Sequence, residues 1–235
     1  MKVCSSELSV FVMLISRMIA STKTKGLIGI NVADMASNQS EWWGNLPDYQ
    51  MHLFLREATE YALAVDQLKA QPDRADELLQ LMPRVADLAH RIQVWQPFSS
   101  TVQPEYRDSV QPFNEIWRLG VLCLIHGEIY SLNQEDPYLQ ACVEASLEPL
   151  RKLSWLQACL FPLFMIAVHA QTNDCRASFM RKFTEMHTLL GFQGPLSMAS
   201  VLKYIWDRSD EDAASGKARW REAFRELRME LNILL

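Results

Sequence analysis

The sequence predicts an all-α protein, about eight to ten helices packed as a single domain over residues 1–235. Three observations carry this reading. Glycine and proline are few, 8 and 10 in 235 residues, which disfavours a many-turned β architecture. Apolar residues return at intervals of three and four through most of the chain, the period of a helix with one buried stripe. No stretch alternates as a convincing strand, and no internal repeat of fixed period is found. With 49% hydrophobic and 22% charged residues, the chain can bury a large core.

Taken in order, Leu8, Phe11, Leu14 or Ile15, and Met18 predict an amphipathic helix over 5–22. Residues 22–47 are expected to be a loop, because periodicity is lost among Lys23, Lys25, Gly26, Gly29, Asn31, Ser37, Asn38 and Ser40. From Asp48 the pattern resumes with Met51, Phe54, Ala58, Tyr61, Val65 and Leu68, ending before Pro72. Pro72 and Asp73 suit a helix start, and Leu78, Met82, Val85, Leu88, Ile92 and Trp95 form the next stripe. The two segments read as an antiparallel helical hairpin, with a kink or break expected at Pro83, which lacks a backbone donor.

After a connection over 97–104, Phe113, Ile116, Trp117, Val121, Leu124 and Ile125 begin a long helix reaching Tyr130. Gly120 and Gly127 within it would permit close helix approach. Asn133 to Pro137 is a turn, and Tyr138, Ala141, Cys142, Ala145 and Leu147 mark a helix that Pro149 should end or bend. Residues 153–171 form the central helix, apolar on most sides and interrupted by Pro162, so other helices must wrap it. Phe179, Phe183, Met186 and Leu190 make a stripe stopped by Gly191. Met198, Val201, Leu202, Ile205 and Trp206 make another, followed by the acidic turn Asp207 to Asp212, and Trp220, Phe224, Leu227, Leu231 and Leu234 close the chain.

The net charge of -5 argues against a polyanion-binding surface. Five cysteines, Cys4, Cys123, Cys142, Cys159 and Cys175, are widely separated and mostly set among apolar residues, so they read as small buried hydrophobes in a reducing compartment. Neither they nor the scattered histidines have zinc-ligand spacing, and no metal or cofactor is expected. Ser9 to Ala20 contains Arg17 and is too short to span a bilayer, which takes about 20 residues; Trp155 to Ala170 contains Gln157 and Pro162 and reads as a buried helix. An intracellular protein without a membrane span is the expectation.

Few residues invite a catalytic reading. The run Asp207-Arg-Ser-Asp-Glu-Asp212 could hold a divalent cation, but no second acidic motif accompanies it, and a solvated turn explains it better. His126 and His169 lie among apolar residues and read as buried histidines, each with one hydrogen-bond partner. Ser154 and Ser178 sit in no nucleophile elbow and beside no histidine, so no catalytic residue is assigned. Arg181-Lys182 and Lys217-Ala-Arg-Trp-Arg221 read as solvated outer helix faces. Eleven methionines could line a lipid or drug pocket, or fill a helical core.

The segment Phe161-Pro-Leu-Phe-Met-Ile-Ala-Val-His-Ala170 resembles the Trp-Pro-Leu-Phe-Ile-Ala-Gly-Cys-Glu-Ala signature of the fungal-specific transcription factor domain, which lies C-terminal to binuclear zinc-cluster modules. Arg176 sits where that family places an arginine, Val201-Leu-Lys-Tyr-Ile-Trp-Asp207 resembles its pre-acidic helix, and Trp220-Arg221 resembles the opening of its last helix. Upstream, Ala89-His-Arg-Ile-Gln-Val-Trp95 and Glu115-Ile-Trp-Arg-Leu-Gly-Val-Leu-Cys-Leu-Ile-His126 are similar to two earlier helices of the family. The departures are Phe161 for tryptophan, Ala167 for glycine, Val168 for cysteine and His169 for glutamate.

The resemblance implies a nuclear regulator of RNA polymerase II transcription, in which this domain is the regulatory, effector-responsive or dimer-forming module and not an enzyme. It implies a small hydrophobic effector and a second copy or co-regulator protein as partners, with no specific DNA binding by this chain alone. The six-cysteine zinc cluster, a basic linker and a coiled coil are missing from the sequence, so the chain reads as a fragment, a truncated product or a standalone relative. The alternative is a free-standing helical interaction or lipid-binding protein.

Overall fold

The computed structural model describes residues 47, 49–97, 107–156, 158–211 and 220–227. The amphipathic stretch 5–22 and most of the loop 22–47 lie outside these residues, as do Asp212 and Leu231. Among the described residues there are eight α-helices and no strand. They are α1 (Tyr49–Lys69), α2 (Ala75–Val94), α3 (Arg107–Leu124), α4 (Pro137–Lys152), α5 (Leu160–Ala167), α6 (Asn173–Leu190), α7 (Gly194–Glu211) and α8 (Trp220–Glu226).

The expected hairpin is present. Arg91 of α2 pairs with Glu57 of α1 at 2.8 Å, and Arg84 lies 5.6 Å over the Tyr61 ring, so position rises along α1 as it falls along α2. The break expected at Pro83 does not occur, and α2 is one continuous helix through it. Pro112 in α3 and Pro149 in α4 are also internal, so α3 starts six residues before the expected Phe113 and α4 continues to Lys152. In each case the residue four positions back, Leu79, Asp108 or Ala145, is exposed. Solvent can therefore take the carbonyl that the missing N–H leaves free, and the helix survives the proline.

The central element is shorter than the sequence suggests. Ala158 has φ 60°, and α5 begins only at Leu160, so Pro162 lies in the first turn and interrupts nothing. First-turn N–H groups have no intrahelical acceptor, which makes this a permissive place for proline. All eight residues of α5 are buried, and the helix touches α3, α4, α6 and α7. A continuous apolar core takes side chains from all eight helices, with Trp206, Trp220, Phe161 and Phe164 in it as expected.

Local signals set the other ends. Asp136 accepts the Tyr138 N–H at 2.9 Å and caps α4, with Pro137 in the first turn and Arg151 and Lys152 in the last. Thr172 accepts the Cys175 N–H at 3.3 Å and caps α6, and Gly191, at φ 74°, ends that helix by donating to the His187 carbonyl at 2.9 Å.

Candidate functional site

The polar machinery gathers where α3 ends. Beyond Leu124 the helix continues as a π-helical turn, Ile125–Ile129, in which the Tyr130 N–H donates to the Ile125 carbonyl at 3.1 Å. Such a turn is wider than an α-turn and is often found at functional positions. It aims successive residues in different directions. His126 stacks on Tyr138 of α4, with centroids 5.6 Å apart and planes at 13°. A Cβ on Gly127 would stand 3.0 Å from the His169 ring, so only glycine lets the turn sit on that histidine without displacing it. Glu128 points toward α8.

His169 is buried, and with no water around the ring its charged form is disfavoured; the nearby His126 adds to this, and its pKa falls to about 4. His126 is lowered too, by burial, against a partial pull from Asp136. Nδ1 of each ring has no hydrogen-bond partner. The sequence reading gave each histidine one such partner and did not place the two together.

Four consecutive carbonyls close the C-terminal end of α5, each taking a different side-chain donor. Trp206 Nε1 donates to Ala167 at 3.0 Å and Gln134 Nε2 to Val168 at 3.0 Å. Gln140 Nε2 donates to His169 at 3.0 Å and Arg176 Nε to Ala170 at 3.0 Å. Helix ends leave carbonyls without partners, and here α4, α6, α7 and the turn before α4 supply them. Arg176 then spends its two terminal nitrogens on Asp210, at 2.6 and 2.8 Å, while its guanidinium lies 5.4 Å over the Trp206 ring.

Glu128 receives the Trp220 indole N–H at 2.5 Å and pairs with Arg221 at 2.7 Å, and Arg221 also reaches Asp66 of α1 at 2.6 Å. Burial holds the Glu128 carboxyl above its ordinary range, although Arg221 and the indole N–H pull the other way. The Trp220 and Phe224 rings meet Phe164 edge-on and tilted, at 6.2 and 5.6 Å. The arrangement organises a hydrophobic hub and has no nucleophile and base aligned for chemistry.

A family model described as the fungal specific transcription factor domain matches residues 36–234. The chain belongs to this family. No curated protein and no solved structure matches it. This family of transcription factor domains is not known to be catalytic, and no zinc-cluster match accompanies the domain. Among the described residues of the transcription factor domain, no helix is long and apolar enough to cross a membrane.

Two surface readings need correction. Asp207 to Glu211 are not a turn but the last turn of α7, where Asp210 is held by Arg176 and Arg208 pairs with Glu226 at 2.6 Å. Lys182 is not on a solvated face: it is buried, donating to the Leu153 carbonyl at 3.0 Å and pairing with Glu185 at 2.8 Å. Arg221 is likewise drawn inward by Asp66 and Glu128. Long cationic chains can bury their stems when a carbonyl or carboxylate meets the head, and charge pattern alone does not reveal that partner. Ser154 is exposed, and Ser178 Oγ donates to the Asp174 carbonyl at 2.8 Å. Sequence reasoning missed Asp66, Gln134 and Gln140 because their partners lie far along the chain.

Proposed function

We propose that this transcription factor domain is the regulatory, effector-responsive part of a nuclear RNA polymerase II regulator, one unit over residues 1–235, with DNA reading done by a separate module. The family match over 36–234 carries the reading. The capped end of α5, on which four elements converge, is the element through which an effector's presence would be felt. Met165 and Met198 are buried and Met180 half-buried on the helices around it. Methionine adapts its shape readily, so a small hydrophobic effector would be accommodated there, and a second copy or a co-regulator protein would read the change.

The test is a fusion of the full chain to an unrelated DNA-binding domain, assayed on a reporter in fungal cells. A reporter shifted in either direction relative to the DNA-binding domain alone is the expected result. A nuclear, expressed fusion that leaves the reporter unchanged would overturn the reading. Thermal melting of the purified chain with a panel of sterols tests the effector separately, and a melting point unmoved by any of them removes that part.

A further inference from the structure

Four free thiols lie among the described residues, and they are not equivalent. Cys159 is fully buried and its Sγ donates to the Trp155 carbonyl at 3.4 Å, while Cys175 is half-buried on α6. Cys123 on α3 and Cys142 on α4 instead meet each other, the Cys123 thiol donating to the Cys142 sulfur. Cys123 has no exposure, whereas Cys142 keeps 8%. On the same face of α4, one turn further on, stands the buried Ser146, so small side chains let the two helices approach.

We propose that Cys123 and Cys142 are an oxidation site, closing to an intramolecular disulfide between α3 and α4 when the domain meets a peroxide. Cys142 is the attacking sulfur, because it is the one with a path to solvent. The donated hydrogen bond favours its thiolate, against the opposing effect of burial, while Cys123 is held as the thiol. Cys142 thiolate attacks one peroxide oxygen, the O–O bond breaks, and the departing hydroxide takes a proton to leave as water, giving a sulfenic acid. Cys123 then loses its proton as its sulfur attacks the Cys142 sulfur. The S–O bond breaks and a second water leaves. Two thiols are oxidised by two electrons, and the peroxide is reduced to two waters.

The consequence falls on the α5 cap. Cys123 lies two residues before the π-helical turn, and Cys142 two residues after Gln140, which holds the His169 carbonyl. A disulfide draws its sulfurs much closer than a hydrogen bond does, and in a close-packed core that movement is passed to the neighbours. A reducing compartment would return the pair to thiols, as expected of a sensing disulfide.

The test treats the full native chain with hydrogen peroxide, blocks remaining thiols by alkylation, and maps cysteine peptides by mass spectrometry. The expected product is about 2 Da lighter before alkylation and yields a reducible linked peptide containing both residues. Cys142→Ser should abolish it, and in Cys123→Ser a dimedone adduct should collect on Cys142. Recovery of Cys123 and Cys142 as alkylated thiols while Cys175 is oxidised would overturn the proposal. So would a linked peptide that forms only above the melting temperature. The wild-type mapping decides the matter even if a serine variant fails to fold.

Discussion

Gly120 of α3 lies against the backbone of Pro162 in α5, so close that a Cβ there would fall 2.5 Å from the proline Cβ and 2.6 Å from its Cα. The obstacle includes main chain, which cannot swing aside. Gly120→Ala should therefore cost about 1–3 kcal/mol, the range for overpacking a tight core, even though alanine is the better helix former. Urea denaturation reads this directly, and a midpoint equal to wild type would show that α3 and α5 can separate without penalty.

Trp220→Ala removes a ring that fills the space beside Phe164 and Phe224 and leaves Glu128 without its indole donor. The loss should be about 3–5 kcal/mol, in the range for large aromatic truncations in a core. Trp220→Phe keeps much of the packing and should lose less, about 1–3 kcal/mol, because the buried Glu128 oxygen then goes without its donor. Equal midpoints for the alanine variant and wild type would place the ring outside the core.

Stability should fall with acid through His169. Its folded pKa of about 4 lies below the unfolded value near 6.5, so the unfolded chain takes up the proton first. Above the unfolded value the group has no effect; stability is lost as pH drops from about 6.5 toward 4, by a total of order 3 kcal/mol. Glu128, held above its ordinary range, acts in the opposite direction in acid and masks part of the loss. His169→Gln should flatten the dependence between pH 6.5 and 4, and parallel stability profiles for variant and wild type would dismiss the role of this ring.

Arg176→Lys is not a mild change, since one ammonium cannot hold Ala170 and both oxygens of Asp210 while stacking on Trp206. A loss of about 1–3 kcal/mol is expected, with the Ala170 carbonyl left short of a donor. The exposed carboxylate of Asp210 contributes less, so Asp210→Asn should lose under about 1 kcal/mol. If the two variants were equally stable, the backbone contact would not be the dominant one.

The chain alone should not read DNA. Its charge is -5, and Lys182 and Arg221, two of the cations available on a sequence reading, are turned inward. Specific recognition needs side chains at base edges, supported by phosphate contacts. Titration against a randomised duplex pool at near-physiological salt should enrich no sequence; a defined sequence bound below micromolar concentration would contradict this.

How much of this was legible in the sequence depends on the distance to each partner. α1, α2, α6 and α7 were readable because each shows one stripe, and Gly120 because a small residue in an apolar helix invites close contact. The bounds of α5 were not readable. Residues 160–170 are apolar on every side, so no stripe shows where helix begins, and the start is set by the backbone at Ala158. Glu128 gave no signal, since its partner Trp220 is 92 residues away, and Asp66 and Arg221 are separated by 155. No local pattern carries pairings of that span.

The end of α5 also constrains when it can form. Its carbonyls are met from 34 and 29 residues upstream, by Gln134 and Gln140, and from 39 residues downstream, by Trp206. Contacts of that separation close slowly, because the intervening chain must first be gathered. During synthesis the apolar segment leaves the ribosome before Trp206 exists, and until α7 follows it has an unfinished end and uncovered aromatic rings. The most buried helix of the molecule is thus the one that needs chaperone protection longest, and a ribosome stalled between α6 and α7 would display it.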